Sequence, residues 1–85
     1  MKALKLYEPG DLRVETVEIP SIASNEVLIE VKAVGVCGSD IPRALYKGAY
    51  RKGLTLGHEF SGVVAQCGSE VTGWQVGDRV SVAPL

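Results

Sequence analysis

Eighty-five residues, 46% hydrophobic and 22% charged, with a formal net charge of -1, make one small globular domain at most. The near-neutral balance and scattered Lys and Arg exclude a nucleic-acid stripe or a polybasic membrane surface, and no apolar run approaches a membrane span. A chain this short buries a small share of its surface, so its stability is expected to lean on a partner or on further chain.

Met1 to Tyr7 lacks the apolar core of a secretion signal, so the expected location is the cytoplasm. There Cys37 and Cys67 are expected as reduced thiols rather than a disulfide. Lys2 to Tyr7 alternates polar and apolar residues and reads as a strand. Glu8-Pro9-Gly10-Asp11 is a turn signal, and Leu12 to Ile19 is the returning strand, stopped by Pro20.

After the polar connection Ser21 to Asn25, Glu26 to Val36 gives the clearest strand. Val27, Ile29, Val31 and Ala33 fall on one face, with Glu30 and Lys32 on the other. Ser39-Asp40-Ile41-Pro42 starts a short helix running through Leu45, since Ser or Asp can cap it and Pro is tolerated in its first turn. Tyr46 to Gly53 is a basic, aromatic loop, and Leu54 to Leu56 approaches Gly57-His58. Phe60 to Ala65 is a further strand. Gly73 to Asp78 is a turn region, with Trp74 expected to anchor it, and Arg79 to Ala83 is the last strand. Gly57, Gly62 and Gly77 read as positions where positive φ or close backbone approach excludes larger residues. Short strands separated by turns point to a mainly β fold, and an end inside that pattern points to an incomplete domain.

The chemistry gathers at Cys37, Asp40, His58 and Glu59. Thiolate, imidazole and carboxylate are all zinc donors, and a catalytic zinc needs three protein ligands and one open position. Cys37, His58 and Glu59 supply at most three. Spacing alone leaves ligand and plain structural roles open, because neither cysteine belongs to a close Cys-x-x-Cys pair.

Gly35-Val36-Cys37-Gly38-Ser39-Asp40, with Leu56-Gly57-His58-Glu59-Phe60-Ser61-Gly62 and Val76-Gly77-Asp78-Arg79-Val80 downstream, resembles the zinc-dependent medium-chain alcohol dehydrogenases in order and spacing. Within that family the pattern looks closest to the polyol and sugar-phosphate branch. The resemblance implies a partly open, GroES-like (chaperonin-10-like) barrel with one short helix, residues 1–85 being its amino-terminal portion. It implies zinc held by Cys37 and His58, with Glu59 as an exchangeable ligand or a neighbouring carboxylate. Asp40 would hydrogen-bond the far nitrogen of His58, and Ser39 would pass the substrate proton toward solvent.

The implied reaction is oxidation of a secondary alcohol on a polyol or sugar derivative, the metal acidifying the alcohol and the hydride going to NAD or NADP. No Gly-x-Gly-x-x-Gly follows a strand, so the nucleotide-binding domain is expected to be absent and these residues alone inactive. The whole enzyme is expected to be a homo-oligomer acting on a small alcohol. The competing readings are a zinc-independent, quinone-reductase-like relative and a non-catalytic chaperonin-10-like interaction module. Neither has a need for Cys37 and His58. Arg43, Lys47, Tyr50 and Arg51 are either a solvated face or, for a phosphorylated substrate, an anion-binding stretch.

Overall fold

A computed structural model describes residues 1–84; Leu85, the last residue of the expected domain, lies outside them. The strands are β1 (Lys2–Glu8), β2 (Asp11–Thr16), β3 (Val27–Val34), β4 (Leu54–Thr55), β5 (Phe60–Cys67) and β6 (Arg79–Val82). One short helical segment, α1 (Asp40–Pro42), runs on as a π-helical turn over Arg43–Lys47. The fold is mainly β with one short helix, as expected from the sequence. Its strands form two three-stranded antiparallel sheets, ordered β2-β1-β4 and β3-β5-β6. Among the described residues no helix is long and apolar enough to cross a membrane.

The chain divides into two compact units. The first combines Met1–Ile19 with Val36–Gly57. Its β1–β2 hairpin pairs Glu8 with Asp11, leaving Pro9 and Gly10 as the turn. Gly10 has φ +79°, so Pro followed by a left-handed glycine gives the type II pattern. The Gly10 N–H donates to Ala44 O at 2.6 Å and ties the hairpin to the helical segment. Leu6, on the central strand, is fully buried. Across the hairpin the Tyr7 hydroxyl donates to the Glu15 carboxylate, while Arg13 lies 4.2 Å over the Tyr7 ring and pairs with Asp11 at 2.9 Å.

This hydrogen bond, with smaller contributions from partial burial and the Glu15 charge, raises the Tyr7 phenol above its ordinary 10.0. A raised value favours the protonated form in the fold. The stabilisation is therefore complete below pH 10 and is lost as pH rises through the raised value. A phenolate absorbance titration should show one tyrosine ionising late, and Tyr7→Phe should delete that step. A step that survives Tyr7→Phe would refute the pairing.

The second unit combines Pro20–Gly35 with the chain from His58 onward. β5 is its central strand, paired with β3 on one side and β6 on the other. Val64, in the middle of β5, is 1% exposed and forms the core of this sheet. The Val64 N–H donates to Asp78 O and its carbonyl accepts from Gly77 N–H, which fastens the turn before β6 to the central strand. Asp78 stabilises that turn by accepting from Gln75 N–H at 2.9 Å.

The single inward face expected for β3 does not persist. Pairing with β5 shifts register between Leu28 and Ile29 and again between Val31 and Ala33. Each irregularity breaks the period-two alternation, and Val31 ends 52% exposed. Trp74, in the turn before β6, is 53% exposed. The three glycines behave as read. Gly57 and Gly77 have φ of +104° and +95°, and a Cβ on Gly62 would lie 2.1 Å from Glu30 O.

Candidate functional site

Cys37 and Asp40 lie in the first unit, and the short interval between them builds a rigid corner. The Asp40 N–H donates to Cys37 O at 2.9 Å, and the Asp40 Oδ2 accepts from the Cys37 N–H at 3.0 Å. This reciprocal pair resembles the reach-back half of a capping box, in which a carboxylate three residues on satisfies an amide at the helix start. Asp40 is only 7% exposed, so its carboxylate is a fixed part of the corner. Cys37 itself is half-buried with a free thiol.

Ser39 occupies the position before the helix, with helical φ and ψ and no side-chain cap bond. Its hydroxyl instead donates toward Cys37 Sγ at 3.4 Å. The exposed hydroxyl therefore sits at the sulfur, where it can hold or relay a proton beside whatever the sulfur binds.

His58 and Glu59 open the second unit. Gly57, in its left-handed conformation, turns the chain immediately before His58. His58 is half-buried and Glu59 exposed. The Glu59 carbonyl accepts from Gly35 N–H at 2.7 Å, so β5 and the end of β3 are joined beside the histidine. The tie between Asp40 and the Cys37 amide was not read from the sequence. Its signal was present in Cys37-x-x-Asp40, the spacing of a reach-back cap.

Cys67, outside this motif, also has a free thiol, and its Sγ lies 3.6 Å from Trp74 O near the end of β5. Also in the first unit, Ser39, Pro42, Arg43, Lys47, Gly48 and Tyr50 line an open groove of about 500 Å³.

Residues 23–85 match the family model of the alcohol dehydrogenase GroES-like domain. The chain belongs to this family. Sorbitol dehydrogenase of Bacillus subtilis is 41% identical over 88 residues, covering 99% of this chain and 25% of that protein. An L-threonine 3-dehydrogenase of Xanthomonas euvesicatoria is 45% identical over 86 residues, covering 95% of this chain and 25% of its own length. Among solved structures, galactitol-1-phosphate dehydrogenase from Escherichia coli superimposes with a TM-score of 0.90 at 40% identity, covering 95% of this chain and 24% of that one. The GroES-like assignment agrees with the fold expected from Cys37-Gly38-Ser39-Asp40 and Gly57-His58-Glu59. The chain spans about a quarter of the length of these relatives.

Proposed function

We propose that this chain is the amino-terminal, metal-holding part of a zinc-dependent dehydrogenase that oxidises a secondary alcohol of a polyol or sugar derivative. Cys37 and His58 are the zinc ligands, and Glu59 is a third, exchangeable donor. NAD or NADP is held by sequence other than these residues. The 85 residues alone do not turn over substrate, and the whole enzyme works in the cytoplasm as a homo-oligomer.

The observation that carries this reading is the Gly35 N–H bond to the Glu59 carbonyl. It pins the end of β3 to the residue next to His58. Cys37 follows Gly35 by two residues, so its Cα stays within about 7 Å of that junction whatever the chain does between them. The donor set fits zinc chemically: one thiolate sulfur, one imidazole nitrogen and one carboxylate oxygen. Similarity to sorbitol and galactitol-1-phosphate dehydrogenases supports the polyol class.

When bound, zinc would act as a Lewis acid that lowers the pKa of the substrate hydroxyl. The rest of the work falls to side chains. Asp40 holds the Cys37 amide, fixing the direction of the thiolate. Ser39, at the sulfur, accepts the hydroxyl proton and passes it to solvent. Glu59, exposed at the start of β5, yields its position to substrate or water.

Elemental analysis of the purified chain beside Cys37→Ala and His58→Ala tests the assignment. Near-stoichiometric zinc should be present in the wild type and lost from both variants. A wild type that takes up no zinc, or variants that keep it, would overturn the ligand assignment.

A further inference from the structure

We infer that the groove of the first unit is an anion subsite that receives the phosphate of a phosphorylated polyol while a hydroxyl of the same molecule reaches Ser39. This inference rests on the dehydrogenase reading for the identity of the polyol but on different residues for its chemistry. The lining comprises Ser39, Pro42, Arg43, Lys47, Gly48 and Tyr50, which includes two cations and no carboxylate.

Three local features make this lining more than a solvated face. First, the described residues contain ion pairs for Arg13, Lys32 and Lys52, and none for Arg43 or Lys47. Both cations of the groove are thus left to an external anion. Second, Arg43 and Lys47 begin and end the π-helical turn, closed by the Gly48 N–H donating to Arg43 O at 2.8 Å. Residues four apart in a helical turn project from one side, so both positive charges face one opening. Single π turns are frequent at functional sites. Third, Gly48 leaves the turn with φ +74°, and a Cβ there would press on Pro9 at 3.3 Å. The hairpin thereby packs closely against Gly48, a residue of the lining.

The lining also suits a ligand with two functional groups. It includes both Ser39, whose hydroxyl lies 3.4 Å from Cys37 Sγ, and the Arg43–Lys47 pair. A molecule carrying both a hydroxyl and a dianion has a partner for each in this lining. Arg43 can bind phosphate through its fork and Lys47 as a point charge. Tyr50, also in the lining, offers a hydroxyl and a ring face to the ligand's carbon chain.

The test is a titration of the ¹⁵N-labelled chain, followed by amide shifts over residues 43 to 50, with D-sorbitol 6-phosphate, D-sorbitol and inorganic phosphate as probes. The expected result is saturable shifts with sorbitol 6-phosphate, weaker binding of inorganic phosphate, and no saturable shift with sorbitol. Arg43→Gln and Lys47→Gln should each weaken sorbitol 6-phosphate binding about fivefold. Lys52→Gln, which removes a surface charge paired with Glu8, should leave it unchanged.

Equal response to sorbitol and its phosphate would overturn the inference, as would equal weakening by Lys52→Gln. Inorganic phosphate binding as tightly as sorbitol 6-phosphate would replace it with a free-phosphate site. Zinc content measured on the same samples reads the metal assignment separately. A chain without zinc that still selects sorbitol 6-phosphate retains the subsite and loses only the metal proposal.

Discussion

Gly62→Ala should destabilise the chain by about 3 kcal/mol or more, the upper range for forcing added volume into a packed site. At the Val31–Gly62 pairing of β3 and β5, a Cβ on Gly62 would stand 2.1 Å from Glu30 O and 2.9 Å from Glu30 C. Both are backbone atoms of a paired strand, so relief requires the strand itself to move. Ile29 Cγ2, also at 2.9 Å, blocks the remaining direction. A chain of this length is expected to have roughly 4–13 kcal/mol in total, so the loss is a large fraction of it. Urea unfolding followed by far-ultraviolet circular dichroism measures the effect. Gly38→Ala is the control, since a Cβ there meets nothing within 4 Å. An unfolding midpoint for Gly62→Ala equal to that of Gly38→Ala would mean that β3 and β5 do not pair in this register.

Gly62 also shows what a linear reading captures. Its need for close approach was legible because a glycine inside a strand pattern marks a bulge, a bend or a neighbouring backbone that leaves no room for a side chain. The strand order along the chain was legible for a similar reason. Pro9-Gly10, Pro20, Gly35 and the run from Gly73 interrupt apolar patterns at places where the backbone changes direction. The facing of β3 was not legible. Alternation along Val27 to Ala33 presumes unbroken pairing, and the two register shifts against β5 arise from the partner strand.

The same limit applies to the candidate site. Donor types and their motif at Cys37, His58 and Glu59 can be read in one dimension. The Ser39 hydroxyl turning from its cap position to the Cys37 sulfur is a three-dimensional choice, as is the π turn that brings Arg43 and Lys47 to one groove. A helix was expected from Ser39 through Leu45; it widens instead into the π turn and ends at Gly48, whose N–H closes on Arg43 O.

Asp40 is where fold and proposed chemistry separate by substitution. Its carboxylate is 7% exposed and accepts the Cys37 N–H, so Asp40→Ala leaves that part-buried donor without its side-chain acceptor. For a part-buried amide that costs about 1 kcal/mol in the metal-free chain. It also releases the loop that aims the thiolate, and loss of such an orienting partner lowers metal affinity about 10–100-fold. Asp40→Asn keeps an acceptor for the Cys37 amide and removes the negative charge. Its metal-free stability should therefore stay within about 1 kcal/mol of wild type, while zinc affinity falls about tenfold because the partner that orients Cys37 has lost its charge. The two quantities are read independently, by urea unfolding with chelator present and by zinc competition against a chromogenic chelator. A merely structural Asp40 predicts a different pattern, in which Asp40→Ala is unstable and both variants bind zinc like the wild type once folded. That result would reduce Asp40 to a helix-start brace and leave the orientation of Cys37 to Ser39 and the backbone turn alone.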